Sequence, residues 1–230
     1  MLVVRTPATH NKSVGKSVAF MSTFDLPDWL SVFNPDPIQP GTSVDPAIYL
    51  AVWSGKRGAD AHVKCIGIRG ELAPDHNPIL GIYDDLFVLM IGNTCTAWKG
   101  STNPGVLFIN HPENPRGCAQ LIEGILMFKR GVHNDQFPAF VQGEDFHINR
   151  LNENGEVVGQ ECGQFGIHLH SGGPGEDVNQ YSAGCQIIWS PEGYFGATWH
   201  RFFDPADKAM QDNNQSILPY MLIDATTLPS

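Results

Sequence analysis

The sequence predicts a mainly β protein, a sandwich or barrel of many short strands with one or two short helices. Two observations predict this fold. Apolar or alternating segments recur along the chain, and turn-forming residues separate them. The chain has 230 residues, of which 42% are hydrophobic, so it can build one substantial core. We expect a single β-rich catalytic domain over residues 46–230, preceded by an irregular arm or linker over residues 1–45.

The N-terminal arm is predicted from residues that break regular structure. Residues 34–41 read NPDPIQPG, and this density of Pro, Asn, Asp and Gly stops helices and strands. A short amphipathic piece at residues 26–30 precedes them. We expect the arm to dock on the domain or on a partner.

The expected strands are short runs of apolar or alternating residues bounded by turn residues. They lie at residues 48–53, 63–68, 86–91, 95–98, 140–142, 146–150, 156–160, 165–170 and 219–224. Residues 152–155 read NENG and predict a hairpin turn. Residues 117–128 fit a helix or two short strands, and an internal glycine favours strands toward the end. A helix is expected over residues 205–211, capped by Asp204 and with a proline in its first turn.

Charge and hydropathy exclude several classes of function. The 24 acidic and 14 basic side chains give a formal charge of −10, which argues against a nucleic-acid or anionic-membrane partner. No stretch is apolar for long enough to span a membrane, so we expect no membrane insertion. The N-terminus lacks an apolar segment of the secretory type, which predicts synthesis in the cytoplasm without a signal peptide.

The five cysteines form neither a metal-binding pair nor a regular disulfide pattern. No CxxC spacing occurs, which argues against a zinc ribbon or a disulfide framework. Four of the five are expected to be small core residues. These four are Cys65, Cys95, Cys118 and Cys162.

The fifth cysteine lies in the stretch that carries the chemistry, FGIHLHSGGPGEDVNQYSAGCQIIW over residues 165–189. A period of two places His168 and His170 on the same face of a strand. The loop over residues 171–184 can fold back and bring Cys185 beside that face. A Cys beside a His is the minimum for a thiolate nucleophile and its base.

Glycines flank both parts of this pair. Gly172 follows the histidines and Gly184 precedes the cysteine. Glycine beside a nucleophile lets a substrate approach the backbone and lets amide groups face a developing oxyanion. Ser182 fits either an additional hydrogen-bond donor or a turn residue.

The motif resembles the signature of the L,D-transpeptidase catalytic domain family, in which a His is followed at a distance by Ser/Thr-His-Gly-Cys. The distant phage and prophage-type variant, Ser-x-Gly-Cys-Gln, is similar to residues 182–186. Further similar pieces occur at residues 83–85, 131–133 and 139–142. The resemblance spans roughly residues 60 to 200, with its specific part at 167–186. Two departures are Ala183, where the common motif has His, and Gln186-Ile187, in place of an apolar-Arg pair.

The resemblance implies a β-rich enzyme that acts on peptidoglycan stem peptides through a cysteine acyl-enzyme and needs no cofactor. Cys185 is then the nucleophile, with its own amide and that of Gly184 facing the oxyanion. An amine acceptor gives a transpeptidase, and water gives an L,D-carboxypeptidase or endopeptidase. His170 is the favoured base because Ser171 follows it and can fix the imidazole tautomer. His168 is the second choice, or a residue that orients the substrate.

The expected substrate-binding residues are those near the motif or in its upstream pieces. They are Ser182, Gly172, Gln186, His133 and Tyr83. His133 also fits a surface or core position, as do His147 and His200.

Because no export signal is visible, we expect delivery to the periplasm or cell wall by another route. A phage lysis or tail component and an antibacterial effector toxin both fit, with an immunity or delivery protein as partner. Two alternatives stay open. One is a non-catalytic β-domain that binds peptidoglycan or a partner. The other is a zinc-dependent peptidoglycan hydrolase that uses His168, His170 and Cys185 as ligands.

Overall fold

The computed structural model describes residues 39–227 of the chain. The strands are β1 (Thr42–Val44), β2 (Val63–Arg69), β3 (Asp85–Ile91), β4 (Thr94–Ser101), β5 (Cys118–Leu121), β6 (Gly124–His133), β7 (Phe137–Gln142), β8 (Phe146–Leu151), β9 (Val157–Gly163), β10 (His168–Ser171), β11 (Gln186–Ile188) and β12 (Ile217–Asp224). The α-helices are α1 (Pro46–Trp53), α2 (Val106–Asn110) and α3 (Ala197–Asp212). Short 3-10 turns lie at Pro74–His76, Asn179–Tyr181 and Ala225–Thr227.

Eight of the strands close into a barrel, which confirms the mainly β prediction. Their order is β4-β11-β10-β7-β6-β12-β2-β3, and β3 pairs again with β4 to close the ring. Strand β1 pairs with β4 outside the ring, and β5, β8 and β9 form a separate three-stranded sheet. Two ring pairs, β10–β11 and β12–β2, are parallel. A closed ring satisfies the backbone groups that an open sheet leaves at its edges.

The largest core cluster joins the barrel, the small sheet and helix α3. The Phe128 ring of the barrel meets the Phe146 ring of β8 edge to face at 5.1 Å and the Tyr220 ring of the barrel at 5.5 Å. Trp98 contacts Phe202 of α3 in the same manner at 5.6 Å. The small sheet therefore shares its core with the barrel, and this fixes its position beside the β10–β11 pair.

Helix α1 corrects the strand expected at residues 48–53. Asp45 caps the helix by accepting a hydrogen bond from the Ala47 amide at 2.9 Å, and Pro46 occupies its first turn. Tyr49 and Trp53, four residues apart, are both buried against the outer face of β2 and β3. The apolar run fits a strand as well as a helix, and the Asp-Pro pair before it favours the helix.

Helix α3 begins earlier than the sequence analysis predicts. It starts at Ala197 after Gly196, so Asp204 is not its cap and Pro205 lies inside the helix. The buried residues recur with helical spacing from the beginning of the helix. They are Thr198, Trp199, Phe202, Phe203, Ala206 and Met210. Burial of this stripe outweighs the hydrogen bond that Pro205 cannot donate.

Two smaller expectations also change. The irregular arm was expected to reach residue 45, but its last part contains strand β1, and residues 1–38 lie outside the described residues. Cys162 is exposed on β9, whereas Cys65, Cys95 and Cys118 are buried as expected. The strands at residues 63–68, 86–91 and 219–224 are present, as is the hairpin turn before β9. Within residues 39–227, no helix has the length and apolar character needed to cross a membrane.

Candidate active site

The parallel pairing of β10 with β11 brings the predicted histidines and cysteine together. Leu169 lies opposite Gln186, so Cys185, immediately before β11, lies beside the start of β10. The His168 amide donates a hydrogen bond to Cys185 Sγ at 3.4 Å. The loop over residues 171–184 thus returns the chain to the strand that it left, as its length and glycine content predict.

His170 has the geometry of a base for this thiol. It is completely buried, and its Nδ1 lies 2.7 Å from the Ser171 carbonyl oxygen. Because a carbonyl accepts and cannot donate, Nδ1 carries the proton and Nε2 is left with a lone pair. Nε2 is buried without a hydrogen-bond partner among residues 39–227. Ring nitrogens of His170 and His133 and Cys185 Sγ all lie within 4.8 Å of one another.

The other two histidines of the cluster support His170. The His133 ring stacks on the His170 ring with centroids 3.9 Å apart and an angle of 22°. His133 Nδ1 and His168 Nδ1 lie 3.0 Å apart in a hydrogen bond. His168 therefore contacts the thiol through its backbone amide and contacts His133 through its side chain. The structure brings His170 and His133, rather than His168, to the thiol.

Burial keeps the groups of this site uncharged at neutral pH. It raises the pKa of the Cys185 thiol to about 11, against the opposing effect of the His168 amide. It lowers the pKa of His170 well below the ordinary 6.5, and nearby His133 adds to this effect. It also lowers the pKa of His168 to about 4. The resting pair is thus a thiol and a neutral imidazole, which can accept the thiol proton as attack begins.

A cavity of about 670 Å³ opens above the thiol. One side, here called the barrel wall, consists of His133, His170 and residues 183–185. The opposite side, here called the small-sheet wall, consists of residues 113–114 and 116–119 together with Arg150. Residues that line the rest of the cavity are Phe108, Asn134, Gln164, Phe165, Gly166, Ile167, Gln180, Tyr181 and Tyr194.

The residues just before the nucleophile fix its backbone. The Ser182 hydroxyl donates to the Cys185 carbonyl at 2.8 Å and accepts from the Gly184 amide at 3.1 Å. Gly184 has φ +133°, and a Cβ there would lie 2.7 Å from the Ala119 carbonyl oxygen. Glycine is therefore required by the close approach of β5. The Gly184 amide is engaged by Ser182, which leaves the Cys185 amide as the predicted oxyanion donor.

Three residues expected to bind substrate are instead internal supports. Gly172 leaves room for the Tyr83 hydroxyl, which lies 2.6 Å from where its Cβ would be. That buried hydroxyl accepts a hydrogen bond from the Gly173 amide at 3.0 Å. Gln186 is completely buried, accepts from the Tyr220 hydroxyl at 2.8 Å and donates to the Thr102 carbonyl. None of the three lines the cavity, because they pack inward and hold the loop in place.

Ser171 and Ser182 hold residues of the site in place without lining the cavity. Ser171 fixes the imidazole through its carbonyl, while its hydroxyl accepts from the Phe195 amide at 2.9 Å. Both serines are buried and absent from the cavity lining. Of the predicted substrate-binding residues, His133 lines the cavity; His147 and His200 are exposed elsewhere.

The aromatic and charged residues of the cavity are not predicted from the sequence. The Tyr194 ring meets the His170 ring edge to face, with centroids 6.1 Å apart, and lies 5.4 Å from the Tyr181 ring at an angle of 39°. Arg150 is buried on β8 and forms two hydrogen bonds of 3.0 Å to Glu161. A buried Arg on an alternating strand signals a bound anion or ion pair. The tyrosines carry no comparable signal in the sequence.

Comparison of the chain with protein-family models, with curated proteins and with solved structures gave no match.

Proposed function

We propose that this chain is a cysteine-dependent acyltransferase or hydrolase that acts on peptides, with Cys185 as nucleophile and His170 as base. The observation that carries the proposal is the state of His170. Its Nδ1 is held by the Ser171 carbonyl, its buried Nε2 has no hydrogen-bond partner among residues 39–227, and one of its ring nitrogens lies within 4.8 Å of Cys185 Sγ. A buried nitrogen without a partner is costly unless it serves a purpose such as proton transfer.

The proposed reaction has two stages. His170 Nε2 accepts the thiol proton while Cys185 Sγ attacks the peptide carbonyl, and the Cys185 amide faces the oxyanion. The carbon–nitrogen bond then breaks, His170 returns the proton to the leaving amine, and a thioester remains on Cys185. Water or an amine attacks the thioester, gives its proton to His170, and the thiol is restored. Water makes the overall reaction a hydrolysis, and an amine makes it a transfer.

The resemblance of residues 167–186 to L,D-transpeptidases directs this chemistry to peptidoglycan stem peptides. The scissile carbonyl would belong to an L-centre that is followed by a D-residue. The cavity of about 670 Å³ is of a size that takes a short peptide segment. An antibacterial effector or phage component that acts in the periplasm or cell wall fits such a substrate.

The decisive experiment combines stem peptides with the wild type, Cys185→Ala and Cys162→Ser. Peptides are analysed by mass spectrometry, and the intact proteins are analysed for a covalent acyl adduct. We expect release of the D-residue or a new cross-link, together with the adduct, in the wild type and in Cys162→Ser. Cys162 is the matched control because it is an exposed cysteine outside the cavity. Equal products from Cys185→Ala would overturn the thiol mechanism, and no products from any variant would favour a peptide-binding domain.

A zinc hydrolase is the second candidate, because three ligand atoms lie within 4.8 Å. The residues are His133, His170 and Cys185, so His133 replaces His168 in the expected set. The two imidazoles stack at 22°, which sets ring nitrogens side by side, whereas tetrahedral zinc needs ligands that converge on one point. Zinc binding would therefore require one imidazole ring to rotate, whereas the thiol mechanism uses the rings as they lie. Stoichiometric zinc in the purified protein, with activity lost to a chelator, would favour this candidate.

A further inference from the structure

The charges that line the cavity are unequally matched. Arg116 and Arg150 both bind Glu161, with Arg116 Nη1 lying 3.0 Å from Glu161 Oε1. Glu113 lines the same cavity, is exposed, and has no ion-pair partner within residues 39–227. Both guanidinium groups thus share the single carboxylate of Glu161, while the Glu113 carboxylate forms no ion pair among the described residues.

In the free protein, the charge of Glu113 disfavours deprotonation of Cys185. Burial is the main reason that the thiol pKa of Cys185 is high, and the negative charge of Glu113 raises it further. The same charge acts on Cys118, which lines the cavity beside it. A carboxylate near a nucleophilic thiol disfavours the thiolate, so its placement is unfavourable until a cation arrives.

The rest of the cavity suits an ammonium group. Tyr181 and Tyr194 contribute aromatic rings. Asn114 follows Glu113 in the chain and also lines the cavity, and its side-chain oxygen accepts a hydrogen bond from the Arg116 amide at 2.9 Å. A carboxylate together with aromatic faces and neutral oxygens is a common environment for a bound cation. Guanidinium groups in the small-sheet wall do not compete for Glu113, because Glu161 holds them.

We propose that Glu113 forms a cation-selecting subsite, which takes a primary ammonium group of the substrate and places its positive charge beside Cys185. This inference rests on the proposed function for the identity of the substrate, and it adds the residue that selects it. The bound cation offsets the charge of Glu113, so the thiol becomes easier to deprotonate in the complex than in the free protein. Glu113 is thus a specificity-determining residue that also couples substrate binding to activation.

The first test measures the charge of the site without any turnover. Cys185 is modified with a cationic and with an anionic methanethiosulfonate reagent in a Cys162→Ser background, and modification is assigned by peptide mapping. We expect the cationic reagent to react faster, and Glu113→Gln to lower the cationic-to-anionic rate ratio about tenfold. Glu153→Gln is the matched control, since it removes an exposed carboxylate outside the cavity. An unchanged ratio in Glu113→Gln, or an equal drop in Glu153→Gln, would overturn the proposal.

The second test measures ligand selection in a protein that cannot react. Calorimetry on Cys185→Ala compares an L-Lys-D-Ala stem peptide with the same peptide acetylated on its side-chain amine. We expect about tenfold tighter binding of the free amine, lost when Glu113→Gln is added. Equal binding of both peptides would contradict the subsite. Since neither test needs product formation, the proposed enzymatic activity can fail while the subsite stands, and the reverse outcome is equally distinguishable.

Discussion

The two walls of the cavity differ in charge and in burial. On the barrel wall, His170 is fully buried and Cys185 is half-buried at the cavity, and burial keeps both of them neutral. On the small-sheet wall, Glu113 and Arg116 are exposed and charged. The difference separates two tasks that an enzyme must perform in one place. Proton transfer between a thiol and an imidazole is favoured in a dry, preorganised environment, whereas recognition of a charged peptide needs charges that water can reach.

The largest effect is expected from a substitution in the barrel wall. His170→Gln should lower kcat/KM by about 10²–10⁴-fold because it removes the proton acceptor of the thiol. His168→Gln is the matched control, since its backbone amide, which contacts Cys185 Sγ, is unchanged. We expect the control to lose less than about tenfold, which is well below the loss of a general base. Measured with stem peptides, the reverse order would assign the base to His168.

The pH profile checks the same assignment in the unaltered protein. Protonation of His170 would remove its capacity to accept the thiol proton, so activity falls as pH falls through its pKa. Because burial holds the pKa of His170 well below 6.5, kcat/KM should stay nearly constant from pH 8 down through pH 6.5. An acid limb centred near 6.5 would show instead that the base is an ordinary exposed imidazole.

The barrel wall is also the part of the site that the sequence predicts best. His170 and Cys185 come from neighbouring strands joined by a single loop, so alternation and glycine content were enough to place them together. Glu113 and Arg150 belong to the small sheet and the loop before it. Their approach to Cys185 depends on how that sheet packs on the barrel, and packing between distant segments leaves no periodic signal.

For the fold as well, the local sequence pattern predicts some elements and not others. Alternation and turn residues predict most barrel strands, because each strand buries a defined face. The apolar run of α1 has no clear period, and the helix is specified by Asp45 and Pro46 in front of it. Gln186 was assigned to substrate because of its place in the motif, yet its amide serves Tyr220 inside the barrel. A motif shows which residues belong together and does not show which of them face the cavity.

The next prediction concerns the contact between the two walls. Gly184→Ala would place a Cβ 2.7 Å from the Ala119 carbonyl oxygen at φ +133°, so the loop must shift away from β5. We expect about 1–3 kcal/mol lower free energy of unfolding and up to about 10²-fold lower kcat/KM. Gly175→Ala is the control, because its φ of +88° is also left-handed while nothing lies within 4 Å of its Cβ. If denaturation and kinetics change equally in both variants, backbone strain rather than the β5 contact is responsible.

The smallest effects are expected from substitutions of the two arginines in the small-sheet wall, which distinguish a residue that stabilises the fold from one that is exposed at the cavity. Arg150 has 7% of its side chain exposed, holds Glu161, and donates to the Gly117 carbonyl at 3.2 Å, whereas 66% of the Arg116 side chain is exposed. Arg150→Met should therefore lower Tm by about 5 °C, and Arg116→Met by about 2 °C or less.

Scanning calorimetry measures the Tm of the two variants, and neutral iodoacetamide measures the modification rate of Cys185 in each. Arg116→Met should leave the modification rate unchanged, because Glu161 screens that guanidinium and burial governs the thiol. A faster or slower thiol in Arg116→Met would mean that the small-sheet wall sets nucleophile reactivity through more than Glu113. An equal loss of Tm in both variants would mean that Arg116 is as structural as Arg150. Recognition at this wall would then reside in Glu113, the carboxylate that the arginines leave open.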